Sequence, residues 1–422
     1  MSSAAPPRPS RVTPARQVAF AVVRRVFEQG AFADRALHGE AKGLDARERA
    51  LAMQLAFGTV QRRLSLDWLI EQLARPVEEL DARTLAALRL GLYQLAFLDG
   101  VAAHAVVGES VELAKGSSGG HKLVNAVLRR ATRELPALPA DDTPAGAAIA
   151  HSYPPWLVEL WWERFGADTT RGLLRAGNEP GELALRANAL VTTRDELAGS
   201  LPVPTRPAGD ELPEGLVVEG PFDAHAHELW RDGAYAAQSR ASMLVARALD
   251  PQPGERVLDL CSAPGGKATH LAALMRDEGE IVAVERHAGR ATALQRTCER
   301  LRASIVDVVV GDAARYTTTT PFDRVLVDPP CSGLGTLQGH PDLRWRSSPE
   351  TIARLATTQR NIVQAAVAAL APGGTLVYST CTLSPRENEE QVAAAGLRVE
   401  SERLVLPHRD RTDGFYIARM RS

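Results

Sequence analysis

From about residue 231 to the end, short apolar runs alternate with helical stretches, and no other feature constrains the fold as tightly. Arg256 to Leu260, Glu280 to Val284, Asp307 to Val310, Arg324 to Val327 and Gly374 to Tyr378 read as strands. Thr269 to Met275, Gly289 to Leu301 and Ser348 to Leu370 read as the helices between them. This alternation predicts a parallel, doubly wound, Rossmann-like sheet. Ligands on such sheets bind beyond the carboxyl ends of the strands. The chemically suggestive residues of this chain all follow such an end.

The remainder of the 422 residues is organised differently. At about 150 residues per domain, two or three domains are expected. Residues 1–12, rich in proline, read as a disordered tip. Residues 13–135 read as all-helical: Ala15, Val18, Ala19, Val22 and Val26 form one apolar stripe. Asp81 stands where it can cap a helix from Ala82 to Leu98. Val106 to Lys115 and Lys122 to Arg133 give two more helices across the Gly116 to Gly120 breaker. A Pro/Ala/Asp linker follows, then a small α/β bridge over residues 146–230, opened by Tyr153-Pro154-Pro155-Trp156. Residues 231–422 carry the alternating pattern, so the whole reads as an α+β multidomain chain.

Composition removes several classes. Hydrophobic residues are 45% and charged residues 24%, an ordinary globular balance. The net charge of -2 excludes a strongly basic protein, though not a local basic face. Arg24, Arg25, Arg129 and Arg130 are candidate phosphate contacts, as well explained by solvated helix faces. The cysteines, Cys261, Cys298, Cys331 and Cys381, are too few for a disulfide scaffold and have no zinc-site spacing. No metal is expected, and a reducing cytoplasm suits the thiols. The most apolar long stretch, Leu88 to Val107, is interrupted by Arg89, Asp99 and His104, so no membrane segment is expected.

The chemistry-bearing residues fall into groups at the strand ends. Val257-Leu258-Asp259-Leu260-Cys261-Ser262-Ala263-Pro264-Gly265-Gly266-Lys267 is a strand running into a glycine-rich turn and a helix. It is neither a Walker A loop nor G-x-G-x-x-G. Glu285 ends the next strand, where a carboxylate can bind two ribose hydroxyls, and Asp312 ends the third, within reach of an adenine amino group. Singly, each is the sort of carboxylate that commonly ends a loop in solvent; together they suit an adenosine-containing cofactor. Asp328-Pro329-Pro330-Cys331 ends the fourth strand, and Thr380-Cys381 ends its neighbour. Cys298 reads as a buried apolar residue, and Cys261 as acting through its backbone. A thiolate that adds to carbon 6 of a pyrimidine turns carbon 5 into a nucleophile for an activated methyl group. A carboxyl group such as Asp328 can hydrogen-bond the ring nitrogen, and a second thiol can assist release.

At these residues the chain resembles the RNA cytosine-5 methyltransferases of the Sun/NSUN family. The resemblance is carried by Leu258 to Lys267, Phe322 to Gly333, His340-Pro341-Asp342-Leu343-Arg344-Trp345, Tyr378 to Thr382 with Glu387-Asn388-Glu389, and Asp413 to Ala418. The helical front is similar to NusB, an RNA-binding antitermination factor, on Ala105 to Lys115 and Val124 to Arg130. A NusB-like domain fused to such an enzyme is the arrangement of the bacterial RsmB-type 16S rRNA methyltransferases. The resemblance implies S-adenosyl-L-methionine as cofactor, held by Cys261, Ser262, Ala263, Pro264, Gly265, Gly266, Lys267, Glu285, Asp312 and Asp328. It implies Cys381 as nucleophile, Cys331 in product release and Asp328 in positioning the base. DNA cytosine-5 methyltransferases use a Pro-Cys thiol like Cys331 instead, and spacing leaves both assignments open. The chain departs from the family at Gln238-Ser239, where Gln-Asp is usual, and at Leu337-Gln338-Gly339, where basic residues are common. The implied substrate is 16S rRNA; another RNA such as tRNA, and a non-catalytic RNA-binding assembly factor, are the alternatives.

Overall fold

The computed structural model describes residues 12–422, whose contacts group into two units. Residues 1–11 of the expected disordered tip lie outside the described residues. One unit holds the chain up to Asn178 together with the short segment His340–Arg346. The other holds Glu179–Gly339 and Ser347–Ser422. No helix among the described residues is long and apolar enough to cross a membrane.

The first unit is helical throughout. Pro14 opens its first helix, Pro14–Gln29, at a position where the missing N–H costs nothing, and Gly30 ends it in the left-handed region at φ 64°. Ala15, Ala19, Val22 and Val26 are buried as the periodicity predicts, and Phe20 and Val23 widen the stripe. Asp81 caps Ala82–Phe97 by accepting from the Thr84 N–H at 3.0 Å. That helix approaches Ala46–Gln61 closely: a Cβ on Gly58 would lie 2.0 Å from the Tyr93 ring. Buried Arg89 meets Asp67 through two bonds of 2.7 and 2.8 Å, the fork geometry that suits a buried pair.

The segment His340–Arg346 was expected with the alternating domain, yet it packs within the helical unit. Arg344 supplies the reason. Its fully buried guanidinium donates to Ser152 O, Asn178 Oδ1 and Gly177 O, each at 3.0 Å, and lies 3.9 Å from the Tyr153 ring centre. Trp345 Nε1 donates to Val60 O at 2.7 Å.

In the second unit, β1 (Ala184–Ala187), β2 (Thr205–Pro207), β3 (Gly215–Val218) and β4 (Tyr235–Ala237) form a small antiparallel sheet in the order β2-β3-β1-β4. The main sheet contains β5 (Arg256–Leu260), β6 (Glu280–Glu285), β7 (Val306–Val310), β8 (Phe322–Val327), β9 (Leu370–Thr380), β10 (Arg398–Val405) and β11 (Phe415–Arg421). Its order is β10-β11-β9-β8-β5-β6-β7. The five strands read from sequence are parallel, and side-chain alternation sends Val257, Ile281 and Val377 to one core and Leu258, Val282 and Tyr378 to another. Both faces are therefore covered, as a doubly wound sheet requires. The purely parallel expectation fails at one edge, where β11 runs antiparallel to both β9 and β10. Only residues 406–414 join β10 to β11, too few for a parallel crossover.

Candidate functional site

The carboxyl ends of β5, β8 and β9 open onto one cleft of about 270 Å³. Cys261, Ser262, Ala263, Pro264, Gly266 and Lys267 line it from the first of these ends, Asp328 from the second and Cys381 from the third. Backbone shape sets the loop. Cys261 and Gly265 have φ of 69° and 101°, and the Ala263–Pro264 peptide is cis. Gly265 is needed there, because a Cβ would meet Leu294 Cδ1 at 2.7 Å. Gly266 then begins the helix Gly266–Leu274, facing space where a Cβ would touch nothing within 4 Å.

Asp259, inside β5, lines the same cleft, which its place in an apolar strand does not reveal. Its Oδ2 accepts from Ser262 Oγ at 2.7 Å, and its buried Oδ1 has no hydrogen-bond partner. Burial pushes its carboxyl up to about 7; the Ser262 bond opposes this and neighbouring Asp328 adds to it. Burial together with the same carboxylates pushes the Cys261 thiol up to about 12, in keeping with a backbone role. Cys298 lies buried in the helix Ala288–Arg300 among apolar neighbours.

Lys267 and Asp328 form an ion pair at 2.7 Å, and Ser379 Oγ donates to the other Asp328 oxygen at 2.9 Å. Burial works against the Lys267 charge, but Asp328 more than offsets it, so the ammonium is held more firmly than usual. The two thiols touch: Cys331 Sγ lies 3.3 Å from Cys381 Sγ. Its hydrogen bond to Cys381, together with burial, raises the Cys331 thiol well above its ordinary range.

Glu285 and Asp312 do not line this cleft. Glu285 ends β6 almost fully buried, accepting from the His287 N–H at 2.9 Å, with Arg290 at 3.6 Å. Asp312 follows β7 and caps the turn Ala313–Arg315. Gln238 and Ser239, the departure noted above, do line it. Ser239 still caps Arg240–Leu249 by accepting from the Ser242 N–H, a task serine performs about as well as aspartate. Gln238 is held by buried Arg186, whose Nε donates to it at 2.8 Å. Ser242 and Thr336 were passed over in the sequence, and Gln238, Ser239, Asp413 and Phe415 stood there only in stretches compared with the family; all six reach the cleft from segments far apart in the chain. Of the candidate phosphate contacts, Arg24 pairs with Glu28 and Arg25 with Glu40. Arg129 and Arg130 donate to neutral partners, Asn125 Oδ1 and Leu73 O.

A doubly wound sheet with a glycine-rich turn after its central strand, opening on a cleft beside two thiols, fits an S-adenosylmethionine-dependent methyltransferase, and the comparisons with known proteins place the chain in that class. Residues 246–421 match the 16S rRNA methyltransferase RsmB/F family, residues 13–133 the NusB family, and residues 153–225 the ferredoxin-like domain of RsmF/B-like methyltransferases. The probable ribosomal RNA small subunit methyltransferase B of Synechocystis is 38% identical over 96% of this chain and 99% of its own. Its namesake in Bacillus subtilis is 32% identical over 97% and 99%. A methyltransferase homologue from Pyrococcus horikoshii superimposes with a TM-score of 0.60 at 26% identity, over 67% of this chain and 99% of that one. NSun6 from the same organism, solved with the S-adenosylmethionine analogue SFG, shares the fold at a TM-score of 0.60 and 24% identity over 64% and 98%. The chain belongs to the family of ribosomal RNA small subunit methyltransferase B.

Proposed function

We propose that this protein methylates carbon 5 of a cytosine in 16S rRNA, in the cytoplasm, through a covalent adduct between Cys381 and carbon 6 of the base. The observation that carries this reading is the thiol pair. The two sulfurs lie 3.3 Å apart, so that one can add to carbon 6 while the other exchanges a proton with it. Cys381 also lines the cleft, whereas Cys331 does not.

The cofactor fits the residues present. The buried, unpartnered Asp259 Oδ1 is an acceptor waiting for a cation, and the start of the helix Gly266–Leu274 suits a carboxylate. S-adenosylmethionine carries both groups and supplies an electrophilic methyl. The Cys261 to Lys267 loop would hold its amino-acid end, Glu285 the ribose hydroxyls and Asp312 the adenine amino group. Cys381 adds to carbon 6 and drives electron density towards carbon 5 and the ring nitrogen. Asp328, fixed from two sides by Lys267 and Ser379, hydrogen-bonds that edge of the base. For the methylated product to leave, a base takes the carbon 5 proton and the C6–sulfur bond breaks, and Cys331 can hand its proton to the departing Cys381 sulfur. The target cytosine must be unstacked, which is least costly in single-stranded RNA.

The test is tritiated methyl transfer from S-adenosylmethionine to protein-free 16S rRNA, with Cys381→Ser and Cys331→Ser variants alongside. Label on carbon 5 of one cytosine, lost in the Cys381 variant, is the expected result. The Cys331 variant should still transfer methyl but accumulate a covalent RNA complex. Label on tRNA alone would overturn the substrate, and turnover by the Cys381 variant would move the nucleophile to Cys331. Cofactor binding without label on any RNA would favour a non-catalytic RNA-binding role.

A further inference from the structure

The segment Glu387-Asn388 takes no part in the reaction as drawn, yet it is a polar pair buried beside the thiols. Glu387 and Asn388 are both fully buried. Glu387 Oε1 accepts from the Ser332 N–H at 2.8 Å and from Gln359 Nε2 at 3.1 Å, and its Oε2 accepts from Ser332 Oγ at 2.5 Å. Ser332 Oγ in turn meets Thr382 Oγ1 at 2.7 Å. Asn388 receives the Thr380 hydroxyl on Oδ1 at 2.5 Å and donates from Nδ2 to Thr382 O at 3.0 Å. Ser332 follows Cys331, while Thr380 and Thr382 flank Cys381.

We propose that Glu387 and Asn388 are positioning residues that hold the two thiols in contact. The inference rests on the reading of Cys381 as nucleophile and Cys331 as its proton partner. Residues 328–333 have no regular secondary structure, so nothing in the sheet ladder fixes where Cys331 stands. Side-chain bonds fix it instead: Glu387 holds Ser332 by backbone and hydroxyl, and Gln359 Nε2 ties Pro330 O at 2.9 Å to the same carboxylate. The three donors converging on Glu387 require an acceptor-only group, which an ionised carboxylate is. Burial raises its carboxyl, and the donors from Ser332, Gln359 and Thr382 pull it back towards ionisation. Asn388 needs both ends of an amide, since one end accepts and the other donates. The Tyr378 hydroxyl donates to the Glu387 carbonyl at 2.6 Å and so anchors the clamp to β9 itself.

The test measures thiol geometry apart from turnover. Dibromobimane fluoresces once both its ends have alkylated neighbouring thiols, and peptide mapping then assigns the bridge to Cys331 and Cys381. The full-length chain and its Glu387→Ala, Glu387→Gln and Asn388→Asp variants are compared for bridging rate, S-adenosylmethionine affinity and kcat. Glu387→Ala and Asn388→Asp should bridge at least tenfold more slowly and lose at least thirtyfold in kcat, with cofactor affinity within twofold. Glu387→Gln, which keeps one acceptor oxygen, should fall between them and the parent. Should Glu387→Ala fail to fold, as judged by lost cofactor binding, the two milder variants decide the question. Unchanged bridging, or slowed bridging with unchanged kcat, overturns the proposal. If Cys381→Ser proves active, the nucleophile assignment is what fails, and the bridging rates still report on the clamp.

Discussion

The two halves of the site are built by different means. The Cys261 to Lys267 loop is held by backbone: left-handed residues, a tight turn and the start of a helix. The thiol pair is held by side chains drawn from residues 332, 359, 380, 382, 387 and 388. A backbone-built site is compact in sequence and tolerates change at few positions. A side-chain-built site is scattered, and each bond in it can be removed separately. The two halves meet at Asp328, which takes Lys267 from the loop and Ser379 from β9.

The comparison breaks most sharply at the thiols. Cys381→Ala is expected to lower methyl transfer by more than about a thousandfold, the scale on which a covalent nucleophile acts, while cofactor affinity measured by calorimetry stays within twofold. Equal losses in both would mean that the halves are one unit. Gly265→Ala should do the reverse. An alanine at φ 101° costs about 1–2 kcal/mol in backbone strain alone, and its Cβ would press on Leu294. Cofactor affinity should therefore fall about thirtyfold, with the rate of thiol bridging unchanged. A cofactor affinity equal to the parent's would show that the turn relaxes without consequence.

This contrast also explains what the sequence made legible. The Rossmann-like sheet, its β5 strand end to end and the loop after it can all be read from local pattern, because hydrophobic period, turn glycines and strand ends are local signals. The Asp81 cap is legible for the same reason. Asp259 was hidden by its place inside an apolar strand, where burial and Asp328 give it a raised carboxyl that no local pattern encodes. Arg344 read as part of the alternating domain, since nothing local reveals that its guanidinium ends among carbonyls of the helical unit. The antiparallel edge depends on the length of the connection between β10 and β11 and on which strand edge is left free.

Asp259 gives a pH-dependent way to sharpen the comparison. Its carboxyl is raised to about 7, so below that pH it is protonated in the free protein. If it binds the cofactor's ammonium group it must first lose that proton. Affinity should then tighten about tenfold per pH unit below 7 and level off above it. The stability of the cofactor-free protein should run the other way. The folded state binds the proton more tightly than the unfolded chain, so this group's contribution is full below about pH 4 and declines as pH rises to 7. Calorimetry and thermal melts between pH 5 and 8 measure both slopes. Asp259→Asn should flatten each of them, and unchanged slopes in that variant would assign the titration to another group.

The smallest expected effect falls where the two halves meet. Ser379→Ala removes one of the two donors to Asp328 and leaves the Lys267 pair intact. A hydrogen bond to a charged group contributes about 1.5–3 kcal/mol when lost outright, but Asp328 is partly open and water can take the place of the hydroxyl. The loss in kcat should therefore be only about threefold to tenfold, with cofactor affinity and thiol bridging both unchanged. A fall in cofactor affinity would mean that Asp328 belongs with the loop, and a fall in bridging that it belongs with the thiols. A change confined to kcat fits a residue that serves the base between them.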